Sequence, residues 1–390
     1  LESVKQPDRI TAWSHMPPRS IWHWREFWLR IRNRFLSDAR FHRFALGFPL
    51  FRPISRARSR HLFDLVAGFV YSQVLYTCVH LDLFSLLALQ PHSAEEVAKK
   101  IGWTGANTQR LLGAAVALDL LEEMPGCRFG LGIHGAALLG NPWIARFVEH
   151  HGILYKDLAD PVSLLRGDAG ETGLGRYWAY ARSASPQELT PQMAAGYTAL
   201  MAASQAAIAQ EILDAYDFSR HRTLLDVGGG DGSFVTAAAA RHPALNFVLF
   251  DLPAVSAKAS LRLEGNGLAG RIRIESGNFL TDPLPRDADA AILVRVVHDH
   301  DDPAAIKIMS SIRQALPLDG CLIVAEPLAG IRWMKAVTDA YFNIYLSAMG
   351  SGRTRTVAEV ARLGKAAGFH NARAVHTRNP LLTSLIVLKN

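Results

Sequence analysis

The stretch Leu224-Leu-Asp-Val-Gly-Gly-Gly-Asp-Gly-Ser-Phe234 constrains this chain more than any other. Leu224, Leu225 and Val227 read as the apolar end of a buried parallel strand. Gly228, Gly229, Gly230 and Gly232 then make a tight turn with no Cβ in the way, and the Ala-rich run from Phe234 to Ala240 reads as a helix. Strand, glycine turn and helix form a nucleotide-binding βα unit, in which backbone approaches ligand closely. The next apolar run, Phe247-Val-Leu-Phe250, ends in Asp251, 21 residues past Gly230. A carboxylate at about that spacing takes up ribose hydroxyls. The expected fold class is therefore α/β, with a ligand at the carboxyl edge of the sheet.

The spacing of Asp251 fits NAD as well as other adenosine ligands. The turn, however, reads G-G-G-D-G rather than G-x-G-x-x-G, and it is flanked by Asp226 and Asp231. Those acids suit a ligand without a pyrophosphate. A cationic sulfonium with an adenosine tail, S-adenosylmethionine, fits better. LLDVGGGDG, FDLP at 250–253, GNF at 277–279 and RVVHDHDD at 295–302 occur in that order. Together they resemble the plant-type class I O-methyltransferases and their bacterial relatives. The resemblance implies a Rossmann-like methyltransferase domain behind a helical winged-helix domain that forms a homodimer.

With 390 residues, 49% of them hydrophobic, the chain can build two domains with good cores. We expect a basic aromatic arm over 1–60, a helical winged-helix domain over 61–215 and the donor-binding domain over 216–390. Cys78, Cys127 and Cys321 are scattered without a CxxC, which argues against disulfides and zinc and for a reducing cytosol. The first ten residues lack an apolar signal core, so we expect a cytoplasmic protein whose membrane contact, if any, is peripheral.

The net charge of +7 is concentrated in one place. Residues 19–60 hold eleven Arg against Glu26 and Asp38, a balance of +9; residues 1–18 balance to zero and 61–390 carry −2. Within the arm Ile21, Trp24, Trp28, Ile31 and Phe35 recur at helical spacing, with Arg25, Arg30, Arg32 and Arg34 between them. Such a segment either packs on its own domain or a dimer partner, or lies in an anionic membrane interface. Nucleic acid is a third candidate that we set aside. Residues 61–90 are strongly apolar, but the longest stretch without a charge, 65–79, is short for a bilayer span. We expect buried helices there.

Ser93 and Glu96 form a capping-box pair, 107–121 reads as a second helix, and Cys127 to Leu131 as a β-wing. Taken alone, a winged helix suggests a DNA-binding regulator. The second helix carries one basic residue, Arg110, against Asp119, which is too little for phosphate contacts. In the resembled enzymes this fold serves dimerisation and closes the partner's pocket. From Arg222 onward strands are expected at 222–227, 247–250, 271–275, 289–294, 321–325, 371–377 and 384–389, the last two an antiparallel pair.

The resemblance also implies site residues. His298, just past a strand end, maps onto the general base, Asp299 follows it, and His300 stands where most relatives have Trp. Glu326 maps onto the first of two glutamates that frame the base. A buried Glu at a strand end needs a partner, and His298 is the natural one. The second glutamate belongs to a G-K-E-R-T segment, which here reads Gly352-Arg-Thr-Arg-Thr356, so Thr354 replaces it. Carried-over donor contacts are Gly228, Asp251, Asn278 and Phe279, with Arg295 matching an arginine of the bacterial relatives. Met201 falls where the family packs a methionine near the transferred methyl. Tyr341, Phe342, Tyr345 and Met349 suggest an apolar acceptor pocket, Met349 standing near the place where phenol-methylating relatives have asparagine. Residues 43–73, 150–167 and 349–356 further resemble one subgroup, the carotenoid tertiary-alcohol O-methyltransferases of purple phototrophic bacteria, acting on demethylspheroidene or hydroxyneurosporene. A soluble phenol or indole is the alternative acceptor.

Overall fold

A computed structural model describes residues 19–178, 191–268 and 270–390, with side chains described from residue 23 and, in the second segment, from residue 200. Residues 1–18 and the side chains of Ile21 and Trp22 lie outside the described residues. The chain divides at Gln73 into two units.

The first unit is helical: Arg19–Leu36, Ala39–Gly47 and the leading part of Arg52–His80. Asp38 separates the first two helices because its carboxylate caps the second, accepting from the Arg40 N–H at 2.7 Å. Phe44, Phe48 and Phe51 gather at the next bend, with ring centroids 5.5 Å apart for the first pair and 5.4 Å for the second. Helix Arg52–His80 runs unbroken through residue 60, where the sequence suggested a domain boundary. The expectation of burial over 61–90 fails in its first part. Leu62, Phe63, Leu65, Val66, Phe69 and Val70 are all exposed, and burial begins only at Cys78 and Val79. Hydropathy reports that a run is apolar, not what covers it. The helix is long and apolar enough to cross a membrane. Its last turn is committed to a protein core, however, and Arg52, Arg56, Arg58 and Arg60 crowd its start.

The second unit opens with helices around a small three-stranded sheet. Strands β1 (His92–Ser93), β2 (Leu121–Met124) and β3 (Arg128–Leu131) form an antiparallel sheet in the order β1-β3-β2. Ser93 and Glu96 close the expected capping box, with bonds of 2.8 and 3.2 Å. The second helix spans Gly105–Ala117, with Thr104 as its cap, and stops where Asp119 takes a φ of 55°. Leu83, Phe84, Val97, Leu112 and Phe129 form its core.

The large sheet contains β4 (Thr223–Val227), β5 (Asn246–Asp251), β6 (Ile272–Ser276), β7 (Ala290–Val294), β8 (Cys321–Glu326), β9 (Asn371–Val375) and β10 (Ser384–Lys389). Their order is β6-β5-β4-β7-β8-β10-β9, parallel except that β10 runs antiparallel to both its neighbours. Side chains alternate between two cores: Leu225, Val227, Leu293 and Val324 on one face, Leu224, Ile292, Val294 and Ile323 on the other. Both faces are buried, so the strands read as continuous apolar runs. β4 lies between β5 and β7, so the order of strand connection reverses beside it and a crevice opens at its carboxyl end. Helix Pro191–Ala215 contributes Ile208, Ala209 and Ile212 to the second core.

Candidate active site

The crevice beyond β4 holds a cavity. The turn Gly228–Gly230 forms its floor, with Asp251 and Phe279 on the wall. Gly228 takes a φ of +74°, and a Cβ there would press on Val296 Cγ2 at 2.9 Å, so only glycine fits. The space above Gly230 is open: a Cβ there would meet nothing within 4 Å. Asp251 ends β5 and is buried; one oxygen accepts from Gly230 N–H at 2.8 Å and the other from Leu252 N–H at 2.7 Å. Burial pushes its pKa up to about 6 against the pull of those two bonds. Beneath the turn neither oxygen of Asp226 has a hydrogen-bond partner. Burial, reinforced by the Asp251 charge, pushes Asp226 up to about 8. Asp231, Asp251 and Asp299 on the wall, with the open glycine backbone, suit a cationic ligand with a ribose, as S-adenosylmethionine is. Phe279 and His300 meet edge-to-face on the wall with centroids 5.5 Å apart. Asn278 is buried beside them, but its amide oxygen accepts from Leu280 N–H at 2.9 Å and it does not line the cavity. In this structure Asn278 folds the turn that presents Phe279.

His298 sits in the short 3₁₀ turn Val297–Asp299, four residues past the end of β7. Glu326 ends the adjacent β8 and is 3% exposed. One of its oxygens accepts from Val297 N–H at 2.7 Å, and the other pairs with His298 Nδ1. The partner expected for a buried Glu is thus present. An ionised carboxylate can only accept, so this pairing calls for a proton on Nδ1 and makes Nε2 the nitrogen free to change its protonation. Nε2 lies 3.1 Å from Asp299 Oδ1. Burial holds the imidazole pKa down, but the Glu326 and Asp299 carboxylates outweigh it and leave the value above the ordinary one. Thr354 is not part of this frame. Its N–H and hydroxyl both donate to Asn343 Oδ1, at 3.2 and 2.8 Å.

A second, larger cavity adjoins the first. His298, Met201, Tyr341, Phe342, Tyr345 and Met349 all line it, from positions spread over nearly 150 residues. The two cavities share Trp178, Met201, Arg295 and Asp299, so a group leaving one for the other crosses that seam. Arg295 reaches it through a left-handed backbone, φ +57°, which is strained for a long side chain. Its guanidinium donates to Ser204 Oγ at 3.3 Å. The tyrosines present rings rather than hydroxyls. Tyr345 Oη accepts from Trp178 Nε1–H at 2.7 Å and pairs with His150 Nε2 at 2.7 Å; Tyr341 Oη pairs with His151 Nε2 at 2.7 Å. Burial pushes both histidines down to about 4, so they are neutral at physiological pH. With the two hydroxyls tied to His150, His151 and Trp178, the tyrosines add mainly ring surface to this wall.

Sequence reasoning missed His150, His151 and Trp178, which meet the tyrosines from more than 160 residues away. It also missed Arg355. This guanidinium is 3% exposed and donates to Val297 O and His300 O, both at 2.7 Å, and to Asp302 Oδ1 at 2.9 and 2.7 Å. It clamps the turn that carries His298 from both sides. Arg353 N–H adds a bond to His298 O at 2.9 Å, and a Cβ on Gly352 would overlap that same carbonyl. The signal was the GRTRT segment itself, which the sequence reading used for its missing glutamate and its resemblance to the subgroup, not for its arginines.

Comparison with known proteins agrees with this geometry. The O-methyltransferase domain matches residues 155–370 and the O-methyltransferase dimerisation domain matches residues 63–135. Demethylspheroidene O-methyltransferase of Cereibacter sphaeroides is 39% identical over 92% of this chain and 94% of its own. The enzyme of that name from Rhodobacter capsulatus is 35% identical over 91% of this chain and 88% of its own. Among solved structures, the calicheamicin-biosynthesis methyltransferase CalO1 in its SAH-bound form superposes with a TM-score of 0.70, at 25% identity, covering 85% of this chain and 98% of its own. The chain belongs to the S-adenosylmethionine-dependent O-methyltransferases of the class I fold that carry an N-terminal dimerisation domain.

Proposed function

We propose that this enzyme methylates the tertiary hydroxyl of an acyclic carotenoid of the demethylspheroidene or hydroxyneurosporene type, with His298 as general base. The observation that carries this reading is the large apolar cavity, with His298 on its wall, where it meets the donor cavity. Two curated relatives named for demethylspheroidene support the same acceptor. The match to the dimerisation domain supports a homodimer; exposed Phe63, Val66, Phe69 and Val70 fall inside the matched range. We place the enzyme in the cytoplasm.

When bound, S-adenosylmethionine supplies an electrophilic methyl on a sulfonium. In our reading the Gly228–Gly230 turn receives its amino-acid end, Asp251 its ribose hydroxyls and Phe279 its adenine. Met201 and Arg295 flank the line of transfer at the seam. His298 Nε2 takes the hydroxyl proton as the oxygen bonds to the methyl carbon and the methyl–sulfur bond breaks. Glu326 on Nδ1 and Asp299 beside Nε2 compensate the positive imidazole. The apolar wall excludes water, which would compete for the methyl.

The test is donor consumption over detergent-dispersed hydroxycarotenoids and soluble phenols in parallel. We expect turnover with the carotenoid alcohols alone; turnover only with a phenol would overturn the acceptor assignment and leave the enzyme class intact. The donor site is tested separately. Asp251→Ala removes charge-assisted bonds, each contributing about 1.5–3 kcal/mol. Affinity for S-adenosylhomocysteine by calorimetry should fall at least about tenfold, and unchanged affinity would remove Asp251 from the site.

A further inference from the structure

We infer that the arm over residues 19–60 is a docking surface for a membrane face rich in anionic lipid. In helix Arg19–Leu36, with about 100° per residue, Trp24, Phe27, Trp28, Ile31 and Phe35 fall on one stripe. Arg25 and Arg32 border that stripe on one side, Arg30 and Arg34 on the other. Trp24 and Trp28 are 64% and 61% exposed, and Phe27 and Phe35 are exposed with them. An apolar stripe of Trp and Phe between two rows of Arg is the profile of a helix lying in the headgroup region. The Phe44–Phe48–Phe51 cluster beyond it is likewise exposed, with Arg40, Arg43 and Arg52 close to it in sequence. The arm's two acids do not neutralise it: Glu26 lies 3.7 Å from Arg30, and Asp38 is used as a helix cap.

Charge and position argue for lipid over a second copy. In a homodimer the arm's +9 would meet either the same +9 or residues 61–390, which carry −2. The first repels and the second carries only a small net negative charge, whereas an anionic leaflet attracts each surface Arg. The matched dimerisation domain begins at residue 63, after the arm. CalO1 is matched over 98% of its own length yet covers only 85% of this chain, so this chain carries segments which that enzyme does not need. These observations stand whichever alcohol is methylated.

The test is flotation of the full-length protein with vesicles of phosphatidylcholine alone and of phosphatidylcholine with about 30% phosphatidylglycerol. Each is run in low salt and in about tenfold higher salt. We expect partitioning at least about tenfold stronger on the anionic vesicles, weakened by salt. Exchanging Arg25, Arg30, Arg32 and Arg34 for Gln together should remove at least about tenfold of that partitioning. Trp24→Ser with Trp28→Ser should weaken it at both salt levels. Retained S-adenosylhomocysteine binding certifies that each variant is folded; should one fail to fold, the wild-type lipid and salt dependence decides alone. Equal or absent binding to the two vesicle types overturns the inference. So does conversion of the four-Arg variant from dimer to monomer by light scattering, or retention of RNA or duplex DNA with vesicles ignored.

Discussion

His298→Ala should bind S-adenosylhomocysteine as the native enzyme does and lose turnover by about 10²–10⁴, the usual range for removal of a general base. The separation follows from the site: His298 lines the acceptor cavity and is not on the wall of the donor cavity. The pH profile gives the assignment a sign. A base must be neutral, so the rate should rise with pH through the His298 pKa. That value lies above the ordinary imidazole one, because two carboxylates outweigh burial. Glu326 supplies the larger of the two attractions. Glu326→Gln should therefore lower the pKa and move the rising limb to lower pH, while Nδ1 keeps a hydrogen-bond acceptor. Single-turnover rates across pH measure both effects. An unchanged rate in His298→Ala, or a limb that moves upward in Glu326→Gln, would reject His298 as base.

The chemistry lay in the sequence wherever it followed a strand end. β4, β5, β7 and β8 are short apolar runs buried on both faces, and Gly228, Asp251, His298 and Glu326 lie at or just past their carboxyl ends. Local pattern plus the topology of a parallel sheet sufficed to bring those residues together. Period alone did not reveal what pairs with them across the fold. The hydroxyls of Tyr341 and Tyr345 are satisfied by His151, His150 and Trp178, and nothing in the spacing of those residues announces it. Asn278 shows what a motif position leaves out: its amide oxygen closes a local turn, which Asn does readily, and the motif does not announce that bond. The apolar run at 61–73 misled because hydropathy does not distinguish a core from a surface awaiting a partner.

Arg355→Ala should cost more than any surface arginine in this chain. It leaves the Val297 and His300 carbonyls without their donor, at about 1–3 kcal/mol for each buried group left unpaired. Asp302 loses two bonds as well, but its side chain is 42% exposed and water replaces them. A net loss of about 3 kcal/mol, or roughly 5–10 °C in Tm, is expected by thermal unfolding. Activity should fall further than stability requires, because the released turn carries His298, and a displacement of about 1 Å there costs about a hundredfold in rate. Arg355→Lys separates the two effects. An ammonium keeps the charge opposite Asp302 but cannot span two carbonyls and a carboxylate as the planar guanidinium fork does. It should recover much of the Tm and little of the kcat, and the rising limb of the pH profile should shift, because the contacts of His298 with Glu326 and Asp299 loosen. If Arg355→Lys restores kcat in proportion to Tm with the limb unmoved, Arg355 only stabilises the fold and does not position the base.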